Sequence, residues 1–266
     1  MTQQPSPFER YIKLGVDERD RQATLAALKD ETLRDAGRYM HERTRFIDVT
    51  QGYESMDKFT LSNGDFCISC LETMPFPGLS NVRQVFGALR FFFSNMDISL
   101  TESSGELVTR EDGGNTVDRD VAHQRFLRAT SCGLQVESNE VMYSAYFSQD
   151  HEHGFGREYA VIAMDFVNED ELHPYDPDER LRQDLTVALT VKTYPRRVIT
   201  VESAGGGDEA AAADQFDVVV CRSLFAKLHH SKNVPIPPQV YSNAVREADM
   251  CSKEILRAVY DIVNRE

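Results

Sequence analysis

The apolar positions of this chain change their period part-way along. Over residues 237–264, Val240, Ala244, Ala248, Cys251, Ile255, Val259 and Ile262 recur at steps of three and four, and Ser242, Arg246, Asp249, Lys253, Arg257, Asp261 and Asn264 fall between them. That pattern predicts one long amphipathic helix. Pro237 and Pro238 suit its first turn, where a missing N–H costs nothing. At ~1.5 Å of rise per residue it runs roughly 40 Å and needs a comparably large apolar surface to lie on. A first helix is predicted over residues 17–44, where Leu25, Leu28, Leu33 (or Thr32), Ala36 and Tyr39 stand at helical spacing beneath a highly charged face. Residues 81–94 predict another, carrying Val82, Val85, Phe86, Leu89, Phe92 and Phe93, too much aromatic surface to leave in water.

Elsewhere the period is two. Residues 66–71 read as a short strand before the breakers Pro75 and Pro77, after a weakly patterned stretch, 46–65. From Ile98 onward, strand-like runs occupy 98–102, 106–110, 126–136, 141–147, 159–167, 185–193, 197–202 and 216–224. Ser103-Ser104-Gly105, the run 111–115 and Glu137-Ser138-Asn139 are short enough for hairpin turns, which makes neighbouring strands antiparallel. Many short antiparallel strands, with helices before them and one long helix after, imply an α+β fold with a single curved sheet. Two interruptions stand out. Residues 168–183 form an acidic loop bearing Pro174 and Pro177, a candidate lid. Residues 204–214 are low in complexity and read as an insertion with no part in a site.

Charge narrows the functions. The 266 residues include 43 acidic and 29 basic side chains, a net −14. Such a surface repels phosphate backbones and anionic headgroups, so nucleic-acid binding is disfavoured, while transient membrane contact stays open. The opening residues are polar, with Glu9 and Arg10 among them, and lack the apolar run of a signal peptide; no window approaches a membrane span. Five scattered cysteines suit reduced thiols, and together these features lead to the expectation of a cytoplasmic protein.

Candidate chemistry is sparse. Cys67 and Cys70 form a C-x-x-C, but on a strand an odd offset sends the two thiols to opposite faces. His151-Glu152-His153 has two imidazoles and a carboxylate without a third partner nearby, and His229-His230 is no stronger. The acidic loop has no glycine for a calcium turn, and Gly205-Gly206-Gly207 has no following Lys-Ser or Lys-Thr to hold phosphate. No metal, no cofactor and no catalytic residue is expected. What remains is apolar surface in stripes: Val141, Tyr143, Ala145 and Phe147 on one strand, and Leu185, Val187, Leu189 and Val191 on another.

The run Val161-Ile162-Ala163-Met164-Asp165-Phe166-Val167, the acidic proline-bearing loop after it, the strands 185–193 and 216–224, and the proline-initiated terminal helix together resemble the START-type lipid-transfer domain of the helix-grip superfamily. The segment 86–102 is similar to the one that precedes the central strands in that family. The resemblance implies a curved antiparallel sheet wrapped around the C-terminal helix, with a hydrophobic tunnel for one lipid or sterol between them. It divides the chain into an N-terminal helical segment, 1–45, packed on a START-like domain, 46–266. The implied ligand-binding residues are Cys251, Ile255 and Val259 on the helix with Arg128, Tyr143 and Phe147 on the sheet, and the loop 168–183 would gate the tunnel. The expected activity is binding of a hydrophobic small molecule, and a protein partner is left open. Two alternatives stand beside it: a non-catalytic interaction module of the same fold with a filled cavity, and a helix-grip cyclase or hydratase drawing on Arg128 and Tyr143.

Overall fold

A short strand, β1 (Lys13–Leu14), leads into α1 (Glu18–Thr44), in a computed structural model that describes residues 8, 10–112, 119–150, 152, 154, 156–196 and 215–263. Asp17 sets the helix start. Its carboxylate accepts from the backbone N–H of Arg19 at 2.9 Å and of Asp20 at 3.1 Å, satisfying two donors that a helix N-terminus leaves over. Asp17→Ala is expected to cost about 1 kcal/mol, read as a lower urea midpoint; an unchanged midpoint would show that the cap adds nothing.

Among the described residues one large sheet is built from β2 (Tyr53–Thr60), β3 (Phe66–Phe76), β4 (Leu107–Asp112), β5 (Val121–Ala129), β6 (Gln135–Asp150), β7 (Arg157–Phe166), β9 (Arg180–Pro195) and β10 (Phe216–Leu228). Its order is β2-β3-β10-β9-β7-β6-β5-β4, each neighbour antiparallel. The two-residue β8 (Glu169–Asp170) instead pairs in parallel with β1. Past the end of β7, the first residues of β6 and β9 also pair, Gln135 with Arg180 and Glu137 with Arg182. Strands on either side of β7 meet there only because the sheet bends over its end. Between β3 and β4 come α2 (Val82–Ser94) and α3 (Met96–Ser104), and α4 (Pro238–Val263) closes the described chain.

Alternation across the strands gives the sheet two apolar faces. One carries Met142, Ile162, Leu189 and Val220 and is covered by α2, α3 and α4. The other carries Val141, Tyr143, Val161 and Val219 and is covered by α1 through Leu25, Leu33, Ala36 and Met40. The α+β class, the antiparallel sheet and the terminal helix lying across it thus stand as expected, with the first helix as an outer layer on the opposite face.

Several boundaries differ. Residues 98–102 are not a strand but the middle of α3, whose Ile98 is exposed while Leu100 packs inward; five residues of alternation cannot distinguish one helical face from one strand face. Gly105 ends α3 at φ +71°, a left-handed cap that glycine adopts without strain. The run 126–136 divides into β5 and β6 at a turn held by Thr130 and Leu134, with Gly133 at φ +83°. Glu137, Ser138 and Asn139 are not a turn; they lie within β6, buried. β3 continues through Pro75 because pairing with β2 stops at Thr73, leaving an open edge where a proline is tolerated. The weakly patterned 46–65 contains β2, an edge strand whose two open faces impose no period. The expected strand 197–202, the insertion 204–214 and the end of the run 111–115 lie outside the described residues.

Candidate functional site

The helix-covered face does not close completely. A cavity of about 100 Å³ lies beneath α4, walled by Phe93, Met96 and Leu100 from α2 and α3, and by strand residues such as Met164, Val187 and Leu224. The roof includes the small side chains Ala244, Ala248 and Cys251, which are too short to fill the space below α4.

Polar residues are set into this apolar lining. Arg128 on β5 pairs with Glu247 on α4, lies 3.8 Å from Glu106 and reaches Gln183 at 3.4 Å. Glu106 is itself held by Asn243 of α4 at 2.9 Å and by the Ser131 N–H at 3.0 Å. Burial raises the Glu247 carboxyl above its usual range even though Arg128 opposes it. Arg222 on β10 donates to Glu72 at 2.8 Å and to the Ser252 hydroxyl at 2.7 Å, and Ser252 donates to Glu72 at 2.5 Å. Beyond this second cluster lies a wider cleft of about 480 Å³, bordered by Glu72, Met74, Pro75, Ser252 and Leu256. The Arg222–Glu72–Ser252 group is therefore the partition between a small inner cavity and a large outer one.

Glu140 is the exception among the lining charges. It is 1% exposed, and neither carboxylate oxygen has a hydrogen-bond partner among the described residues. Burial pushes its carboxyl up to about 7, with the Ser138 hydroxyl pulling slightly the other way and Asp184 adding to the rise.

The six residues expected to bind ligand separate. Arg128 and Cys251 line the cavity together. Ile255 and Val259 are fully buried on the same side of the sheet, packed in the core beneath the end of α4 rather than on the cavity wall. Tyr143 and Phe147 belong elsewhere. They share a face of β6, as their alternation implies, but Tyr143 is buried on the face that meets α1, and Phe147 is 41% exposed and stacks on Tyr159 of β7. A period of two assigns residues to a common face without saying which layer covers it. Two lining residues escape that reading: Ser138, within the expected turn, and Glu140, between that turn and the expected strand 141–147; Val136, Ser138, Glu140 and Met142 alternate without a glycine or proline, which is the signal for a continuous strand.

The segment 168–183 is not one loop: Glu169 and Asp170 form β8 and β9 begins at Arg180, so only residues 171–179 connect the two strands, and they are tied down. Asp170 accepts from both terminal nitrogens of Arg21 at 2.6 and 2.9 Å, and from Asn139 at 2.9 Å; Asn139 in turn contacts His123 at 2.6 Å. Tyr175 donates to the Val167 carbonyl at 2.6 Å, and Glu137 accepts from the Asp176 N–H at 2.8 Å. The loop is pinned to α1 and the sheet. All five cysteines are free, and burial pushes the thiols of Cys67 and Cys70 up to about 11 and about 12, so neither is a ready thiolate. His229 contacts Asp184 at 2.6 Å, while His151 and His153 lie outside the described residues. Among the described residues no cluster has the ligands for a metal ion, and no helix is long and apolar enough to cross a membrane.

No family model matches the chain, and no curated protein does. Among solved structures, the crystal structure of human STARD10 is similar at a TM-score of 0.43 and 9% identity, covering 87% of this chain and 79% of that one. So loose a likeness carries no argument about function, which rests on the cavity itself.

Proposed function

We propose that this protein binds a hydrophobic small molecule, of the lipid or sterol class, between its sheet and α4, without performing chemistry on it. The observation that supports this reading is an apolar cavity beneath α4, roofed by Ala244, Ala248 and Cys251, with polar groups set into its lining to orient a ligand. Burial of the ligand's aliphatic surface would drive binding at ~25 cal/mol per Å².

Size decides how such a ligand sits. A space of about 100 Å³ is below the ~150 Å³ that admits benzene and far below the ~300–1,000 Å³ of ordinary ligand sites. A whole lipid therefore requires the inner cavity to open into the outer cleft of about 480 Å³, with Arg222, Glu72 and Ser252 moving aside and α4 lifting. Only a short apolar group fits the closed form.

The same small volume favours a second reading, an interaction module of this architecture whose core is simply filled. The catalytic alternative has less support: Arg128 is engaged by Glu247, and Tyr143 is on the other side of the sheet. Titration with an environment-sensitive apolar fluorophore separates the first two readings. Wild type is expected to bind it saturably, and Ala248→Phe, which places a ring in the cavity, to lose at least tenfold in affinity while keeping its circular dichroism. Overpacking of this kind typically costs ~1–3 kcal/mol, so the variant should still fold. Equal binding by both proteins, or none by wild type, would favour the filled core.

A further inference from the structure

The orphaned polar atoms of the cavity are all of one kind. Among the lining residues they are Oε1 and Oε2 of Glu140 and Oε1 of Glu247, all acceptors, and Oε2 of Glu106 beside Arg128 adds another. The guanidinium groups are already engaged, Arg128 with Glu247 and Gln183, and Arg222 with Glu72, Ser252 and the Ala248 carbonyl. Arg128 pairs with Glu247 and lies 3.8 Å from Glu106, Arg222 is matched by Glu72, and Glu140 lines the same cavity with no ion-pair partner among the described residues. Buried acceptors without donors are costly unless something supplies the donors. A ligand carboxylate would add charge where acceptors are already in excess.

From this geometry we infer that the polar end of the ligand is a hydrogen-bond donor carrying positive charge, a protonated amine on an apolar body, received by Glu140. This rests on the ligand-binding reading above and names the class of ligand. Glu140 lines the cavity from β6, beside Ser138, while Phe93, Met96, Met164 and Val187 offer the apolar wall against which the body lies. An ammonium has three donors, enough to engage both Glu140 oxygens and a further acceptor, and no counter-anion to desolvate. Asp184, the other acidic group that acts on Glu140, is already occupied by His229 and Arg182, so the charge of Glu140 is the one left to be matched.

The test compares hexylamine, 1-hexanol and hexanoate, three six-carbon probes of matched length, by calorimetric titration of the full chain at pH 8. An alkylamine, like a lysine side chain with its pKa of ~10.4, remains protonated there. Wild type is expected to bind the amine at least tenfold more tightly than the alcohol, and the carboxylate least. Glu140→Gln, which keeps the shape and removes the charge, should abolish the preference for the amine over the alcohol. Glu140→Leu should do the same without introducing a new polar group. Equal affinity for the three probes, tighter binding of hexanoate, or an amine preference that survives both substitutions would overturn the inference while the ligand-binding reading stood. Failure of all three probes to bind would overturn both.

Discussion

Asp170→Asn is expected to be strongly destabilising, by about 3–5 kcal/mol, the usual cost of breaking one side of a buried ion pair. Asp170 is where three segments converge: Arg21 from α1 grips both carboxylate oxygens, Asn139 from β6 donates to one of them, and the N–H groups of Leu172 and His173 close the turn that follows β8. Arg21 and Asp170 are nearly inaccessible to water. Removing the carboxylate charge leaves the guanidinium buried and uncompensated, which is why the loss should exceed that of a surface pair. His123, whose proton affinity burial lowers, cannot replace Asp170, because an imidazole is neutral or positive and supplies no negative charge to Arg21. Burial alone would raise the Asp170 carboxyl, but Arg21, Asn139 and the His173 N–H outweigh it and bring the carboxyl down to about 2. A depressed carboxyl stabilises the fold above its unfolded value, ~3.9, and that contribution of ~2.5 kcal/mol disappears as pH falls from about 4 towards 2. Urea unfolding of wild type and Asp170→Asn at pH 7 measures the first effect, and the acid limb of the wild-type stability profile the second. A loss below ~1 kcal/mol would mean that this network does not tie α1 and the acidic loop to the sheet.

Glu140 should give the opposite pH dependence. Its folded carboxyl lies at about 7, above the ordinary value of 4.5. Between those two values the folded protein holds a proton that the unfolded chain has released, so stability falls as pH rises through this window and levels off above it. The drop between pH 4.5 and pH 8 amounts to ~3 kcal/mol, at 1.36 kcal/mol for each unit of displacement. Glu140→Gln has no proton to lose and should be more stable than wild type at pH 8 by about that amount, with little difference at pH 5. Urea midpoints of the two proteins across this range settle the matter; parallel profiles would show that Glu140 is not the buried, unpaired group it is taken to be. Ordinary folds avoid such a penalty, and its retention at a cavity wall fits a group kept for a ligand.

How much of this was legible beforehand depends on the element. The helices 17–44, 81–94 and 237–264 were readable almost to their ends, because long apolar periods and the caps Asp17 and Asn81 agree with one another. A strand of the central sheet was equally clear where both faces are covered, as in β7, whereas β9 begins at Arg180, five residues ahead of the expected 185, because its polar start Arg180, Arg182 and Gln183 reads as loop. Short or polar segments misled: Ile98 to Leu100 alternates like a strand but sits on a helix, and Glu137 to Asn139 looks like a turn because buried charge is rare in strands. These buried polar groups have partners on other strands and elements, Arg125 and Arg180 for Glu137 and Asp170 for Asn139, and no local pattern announces them. The site divides the same way. Cys251 could be placed on the inner face of α4 by period alone, and Arg128 reached the cavity, whereas Tyr143 could be assigned a stripe but not a side. Which layer covers which face of a sheet is a property of topology, and only the packing of α1 reveals it.

Native mass spectrometry of the full chain, isolated from its cells without detergent, tests most directly whether the space beneath α4 receives an apolar molecule. The expected result is a discrete mass increment that is released on denaturation and absent from Ala248→Phe. A bare chain mass, or an adduct that the variant retains to the same extent, would contradict it.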